Sequence, residues 1–222
     1  EPLQTRRSVE GQIEELKAVL ESHADLPAVL VGFSWGAWLS WLCAATWPDL
    51  VGRLILVSSA PFEEKYASGI LQARLDRLDA DERRQVQSMM EAMKDRDALE
   101  KNALLARFGR LFTKADACDP LTLDSPDLEA DWDIHQGVWS EAAHLRSNGR
   151  LLDFGRRIRC PVIALHGDCD PHPAAGVREP LGSLLTDFQF ILLRQCGHTP
   201  WIERHAREAF YRILREQLKR RA

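Results

Sequence analysis

Long apolar runs are scarce in this sequence. The first thirty residues contain no apolar core of signal-peptide type, and the apolar stretches elsewhere are too short and interrupted to span a bilayer. A soluble, cytoplasmic protein with no membrane partner is the expectation. No excess of one charge is present either: 29 Lys and Arg stand against 33 Asp and Glu, for a formal net charge of −4. Acids and bases are interleaved, so no basic stripe suits a phosphate backbone, and nucleic acid is excluded as a partner. Cysteine is sparse and odd in number. Cys43, Cys118, Cys160, Cys169 and Cys196 lie far apart with no Cys-x-x-Cys pair, which argues against a zinc site and a disulfide framework and for reduced thiols. Internal repeats and low-complexity linkers are absent as well.

What remains is ordinary globular material. The 222 residues are 45% hydrophobic and 28% charged, enough for one sizeable core with an insertion. Residues 8 to 23 place Val9, Ile13, Leu16, Val19 and Leu20 at helical spacing, which predicts an amphipathic helix. "PAVLVGF" from Pro27 is all apolar, as expected of a strand buried on both faces of a parallel sheet. Ala37 to Trp47 contains no Pro, Gly or charge and ends before Pro48, which predicts a buried helix. "RLILVSS" from Arg53, "PVIALHG" from Pro161 and "FQFILLR" from Phe188 bring the strand candidates to four. From Phe62 to about Arg159 such runs vanish, and charged helical segments follow one another, broken at Gly109 and at Asp-rich joints. Such charge is ordinarily a solvated helix face, but the placement matters: an insertion between two parallel strands sits above their carboxyl ends, where open α/β sheets bind ligands.

Gly32-Phe33-Ser34-Trp35-Gly36 stands where the first strand candidate meets the buried helix. A serine hydroxyl needs a base, exposure at a tight turn, and amide donors for the oxyanion it generates. Gly32 and Gly36 are expected to let strand and helix approach closely while Ser34 takes a strained turn conformation. The Trp35 N–H, at the helix N-terminus, is the expected oxyanion donor. Glycine is near 7% of residues, so the bare pattern arises by chance in roughly one chain of this length in fifteen. Its strand-before, helix-after context gives it meaning.

A base and its orienting acid are expected after later strands. "LHGDCDPHP" offers Asp168 and Asp170, with Asp170 favoured, and "QCGHTPW" offers His198, between Gly197 and a turn closed by Pro200. His23, His135, His144 and His205 read as surface or insertion residues, and His166 as structural support for its loop. Trp35, Trp38, Trp41 and Trp47 read chiefly as core, whereas Phe33, Phe62, Trp132 and Trp139 are the candidates for lining an apolar substrate pocket.

These motifs resemble the α/β-hydrolase superfamily. "GFSWGAW" is similar to its nucleophile elbow, "HGDCDPHP" to its His-Gly-x-x-Asp loop with the acid at Asp170, and "GHTPWIE" to its histidine loop. "WPDLVGRLILVSSAPFEEKYA" resembles the branch of carboxylesterase-like and proline-iminopeptidase-like enzymes. The resemblance implies an α/β fold of about four mostly parallel strands flanked by helices. Residues 1–62 and 151–222 would form the core and 63–150 a helical lid. It also implies acyl transfer by Ser34, His198 and Asp170 on a small ester or amide, with no metal and no cofactor. A serine at the elbow sets the chain apart from dehalogenase and epoxide hydrolase relatives, which use aspartate there.

One departure shapes the expectation. Members of the family have further strands and a His-Gly oxyanion loop ahead of the first helix, and this sequence starts at Glu1, just before that helix. The carboxyl-terminal part of the fold is therefore expected, with the elbow strand as an apolar edge, modest activity for want of a second oxyanion donor, and two copies associating across that edge. A proline-iminopeptidase-like aminopeptidase and a non-catalytic ligand-binding or split-protein fragment are the alternatives. Glu63 and Glu64 are the acids an aminopeptidase would need for a free amine.

Overall fold

The computed structural model describes residues 4–94, 100–122 and 131–219. Helix α1 (Val9–His23) opens the chain, capped by the Ser8 hydroxyl accepting from the Gly11 N–H. Strand β1 (Ala28–Phe33), helix α2 (Trp35–Thr46) and strand β2 (Val51–Val57) follow. Helices α3 (Ile70–Asp76), α4 (Ala80–Ala92), α5 (Lys101–Asp116), α6 (Trp132–Ser147) and α7 (Arg150–Asp153) then intervene. Strand β3 (Val162–Gly167), helix α8 (Ala175–Leu184), strand β4 (Phe188–Leu193) and helix α9 (Arg207–Lys219) complete the order. The strands form one parallel sheet in the order β1-β2-β3-β4.

Strand alternation divides the core between two faces. On one, Leu54 and Leu56 of β2 and Val162 and Ala164 of β3 pack with Leu16 of α1, Trp38 and Trp41 of α2 and Leu181 of α8. On the other, Ile55, Val57, Ile163, Leu165 and Leu193 pack with Phe210 and Ile213 of α9. Helices thus cover both faces of β2 and β3, which is why those strands read as unbroken apolar runs. Strand β1 lies at one edge of the sheet, as expected, but it is not buried on both faces: its burial alternates, and Val31 is 45% exposed.

Within the described part of the 63–150 stretch, α3, α4 and α5 build a small core of their own around Leu78, Val86, Met89 and Ala115, with Phe108 and Phe112 against it, whereas α6 packs Val138 and Ala142 into the main core. Gly109 does not break this stretch: α5 runs through it. The roughly 1 kcal/mol that a mid-helix glycine costs relative to alanine is small beside the packing of neighbouring Phe108, Leu111 and Phe112. No helix among the described residues is long and apolar enough to cross a membrane.

Candidate active site

All three motif residues sit where strands end. Ser34 follows β1, Asp170 lies three residues past β3, and His198 five residues past β4. Parallel strands place these ends on one edge of the sheet, so residues up to 164 apart in sequence meet there.

The elbow is tight for one identifiable reason. A Cβ at Gly32 would lie 2.2 Å from the Gly36 carbonyl oxygen and 2.6 Å from Ser40 Oγ, so only glycine lets β1 and α2 approach this closely. Gly36 departs from the expectation, because a Cβ there would meet nothing within 4 Å. Ser34 has φ 54° and ψ −117°, outside the comfortable regions for an L-residue. It occupies the N-cap position of α2, yet its side chain makes no capping bond. The hydroxyl instead meets His198 Nε2 at 3.0 Å. Trp35 is the first residue of α2, so its N–H belongs to the first turn, where amides have no partner within the helix.

His198 bridges the other two. Its Nδ1 lies 2.8 Å from Asp170 Oδ2, and a ring nitrogen facing a carboxylate carries the proton. Nε2 is then the acceptor for the Ser34 hydroxyl. Burial alone would raise the Asp170 carboxyl. Attraction to the His198 ring, which carries charge when protonated, and hydrogen bonds from His172 and His198 outweigh it and hold Asp170 well below the usual carboxylate range. Asp168 takes a different place. Its Oδ1 accepts from the Cys196 N–H at 3.2 Å, tying the acid loop to the histidine loop without touching His198.

His172, two residues past Asp170, is a site residue that sequence reasoning missed. Its Nδ1 donates to Asp170 Oδ1 at 2.8 Å and its backbone N–H to the same oxygen at 2.9 Å, so each oxygen of one carboxylate serves a different imidazole. The two rings lie 4.6 Å apart. Burial pushes His172 below the ordinary imidazole range, and the neighbouring charges of His198 and Arg74 add to this, against the pull of Asp170. The signal in the sequence was an imidazole in the acid's own loop, flanked by Pro171 and Pro173. His166 behaves as expected of loop support: buried, it donates from Nε2 to the His172 carbonyl at 2.8 Å. Asp170, His172 and His198 form the one His/Cys/Asp/Glu group among the described residues close enough to share a cation. Both Nδ1 atoms and both carboxylate oxygens are already spent on one another, and Arg74 stands 3.5 Å from His172 Nε2. That arrangement fits a hydrogen-bonded network and not a metal centre.

The segment returning from α5 is built into the site. The Asp116 carbonyl accepts the His198 N–H at 2.8 Å, while the Asp116 carboxylate takes a bidentate pair from Arg74 of α3 at 2.6 Å for each bond. Glu203, fully buried, accepts the N–H groups of Gly197 (3.0 Å), Cys118 (2.9 Å) and Asp119 (2.8 Å). It clamps the histidine loop to residues 118–119. Glu203 was visible only as the last letter of "GHTPWIE"; its partners are 6, 85 and 84 residues away.

The pocket candidates divide. Phe33 sits at the site, its ring 5.0 Å from His198 and 4.6 Å from Trp201. Trp139, 41% exposed, stacks on Trp38 and meets Trp35 edge-on, which brings α6 to the elbow helix. Trp132 stacks on His135 one helical turn from Trp139. Phe62 does not belong with them: it is fully buried, with its ring 4.8 Å from Trp41, because its chain enters the core on leaving the sheet. Trp38 and Trp41 are core, as expected, with their indole N–H groups satisfied by the Ala60 and Leu151 carbonyls.

The comparisons with known proteins agree with this architecture. No curated protein matches the chain in sequence. Among solved structures, VinJ superposes with a TM-score of 0.65 at 17% identity over 96% of this chain and 73% of its own. Proline iminopeptidase from Mycobacterium smegmatis gives 0.61 at 16% over 96% and 71%. The monoacylglycerol lipase of Paleococcus ferrophilus gives 0.56 at 17% over 97% and 76%. At such identities these likenesses speak for the fold. The family model described as "Alpha/beta hydrolase family" matches residues 4–213, and with the sheet and strand-end site above, the chain belongs to the alpha/beta hydrolase family.

Proposed function

We propose that this protein is a serine hydrolase that cleaves a small carboxylic ester through an acyl-enzyme on Ser34. The observation that carries the reading is the position of His198, 3.0 Å from Ser34 Oγ through one ring nitrogen and 2.8 Å from Asp170 through the other. In this reading His198 Nε2 takes the hydroxyl proton as Ser34 Oγ attacks the substrate carbonyl. Asp170, kept ionised by its surroundings, holds the tautomer and stabilises the imidazolium. The Trp35 N–H faces the developing oxyanion. His198 returns the proton to the leaving alcohol. Water, deprotonated by the same nitrogen, then attacks the acyl-enzyme carbonyl, and His198 returns that proton to Ser34 Oγ as the carboxylic acid departs. Phe33, Trp139 and Trp132 are proposed to line the path of the acyl group.

An aminopeptidase acting on amino-terminal proline is the second reading, since one structural neighbour bears that name. The acids it would use are engaged. Glu63 pairs with Lys65 at 3.0 Å and Glu64 with Arg146 at 2.8 Å. The ester reading therefore stands first.

Intact mass after incubation with a fluorophosphonate, beside Ser34→Ala and His198→Ala, tests the chemistry without knowledge of the substrate. One adduct on the parent and none on either variant is expected. An unlabelled parent that remains folded overturns the reading. Hydrolysis of short p-nitrophenyl esters measured against prolyl-p-nitroanilide separates the two substrate classes.

A further inference from the structure

Two thiols from distant parts of the chain meet beside the site. Cys118 follows α5 and Cys169 sits between Asp168 and Asp170; they are 51 residues apart in sequence, and their sulfurs lie 2.7 Å apart as free thiols. A disulfide needs about 2.05 Å between sulfurs, so a small closing movement completes one. Neither backbone needs ordering for this. The Cys118 N–H is held by Glu203 at 2.9 Å, the Cys169 N–H by the Cys196 carbonyl at 2.8 Å, and the Cys169 carbonyl by Arg77 at 2.6 Å. Cys118 is exposed, so a small-molecule oxidant reaches the pair, whereas Cys43 and Cys196 are buried.

We infer that Cys118 and Cys169 are a disulfide-forming pair that covalently staples the segment returning from α5 to the loop carrying Asp170. The staple would join two segments that hold the site: residues 116–119, whose Asp116 carbonyl fixes the His198 backbone, and the acid loop itself. With a low-molecular-weight disulfide such as oxidised glutathione as oxidant, the Cys118 thiolate attacks one sulfur and expels a glutathione thiolate. Cys169 then attacks Cys118 Sγ in the mixed disulfide and expels the second glutathione. The two protein sulfurs lose two electrons together and the oxidant gains them. The two thiol protons end on the two glutathione molecules. Cys118 is exposed and Cys169 only partly so, which leaves Cys118 to open the exchange.

The test uses the full chain incubated with oxidised glutathione and then freed of it. A loss of two hydrogens (about 2 Da) in intact mass is expected, together with a 118–169 cross-linked peptide and three of the five cysteines still titratable under denaturing conditions. The melting temperature is expected to rise by about 5–10 °C for a loop of this length. Cys118→Ser and Cys169→Ser should each abolish the mass loss and the shift, and Cys160→Ser should change neither. Five titratable thiols after treatment, or glutathione retained on Cys118 without resolution by Cys169, overturns the assignment. Mass and melting do not depend on hydrolysis, so failure here is distinct from failure of the esterase reading.

Discussion

At the elbow, Ser34 takes its place from its own backbone: a positive φ between a strand and a helix, made possible by one glycine that admits the Gly36 carbonyl. The acid and histidine loops opposite it are held in another way. They are fixed by a set of mutual contacts: Glu203 ties the Gly197 N–H to those of Cys118 and Asp119, the Asp116 carbonyl accepts the His198 N–H, Asp168 holds Cys196, and His172, from the acid's own loop, donates to Asp170. The nucleophile therefore depends on local sterics, and its partners depend on a network. A damaged elbow should fail as a unit, whereas the network should weaken by degrees.

The largest effect falls on the nucleophile. Ser34→Ala should lower ester turnover by about 10⁴-fold or more while leaving the melting curve nearly unchanged. Initial rates and a thermal melt on the same preparation check both halves. Gly32→Ala comes next, because its methyl would need to displace the Gly36 carbonyl from 2.2 Å. A loss of about 3 kcal/mol or more is expected, against no loss, or a gain of up to about 1 kcal/mol, for Gly36→Ala within α2. Urea titration of the two variants decides it, and equal losses would refute the one-sided account of the elbow.

Glu203→Gln should be milder than Gly32→Ala. It turns a group that accepts from three amides into one that presents an N–H₂ to some of them. A loss of about 2–3 kcal/mol, or roughly 5–10 °C in melting temperature, follows. Slowed fluorophosphonate labelling at 25 °C would show that the histidine loop moves with it.

The smallest effect concerns acid. His166 and His172 are both held below the ordinary imidazole range, chiefly by burial. Below about pH 6.5 the unfolded chain binds protons at these positions and the folded chain does not, so stability falls as pH falls towards the lowered folded values. Asp170 adds nothing in this window, since its own contribution is lost only below about pH 4. The melting temperature should decline from pH 7 to pH 5, and His172→Asn should flatten the decline. The same variant removes the ring N–H from Asp170 Oδ1 and should slow labelling by about 10-fold at most. An unchanged slope in His172→Asn would mean that the imidazole is not held neutral.

Much of this molecule was legible from residue order. The four apolar runs, the helix between the first two, and the glycine-serine-glycine turn are local patterns, written in side-chain period and in the space one glycine leaves. Parallel strands carry such turns to one edge, so Ser34, Asp170 and His198 could be named as partners from their positions after strands. The tertiary structure alone decided what holds them. Nothing in the sequence pairs Glu203 with Cys118, Asp116 with His198, or the Cys118 sulfur with that of Cys169, since each contact closes a long loop whose ends have no local preference for one another. Val31 and Phe62 show the same division: equally apolar by composition, one lies exposed on an edge strand and the other under Trp41, because burial depends on which neighbours the fold brings. Steric and periodic rules act over a few residues and survive in sequence, whereas hydrogen-bond and packing partners chosen across 50 to 160 residues exist only once the chain has folded.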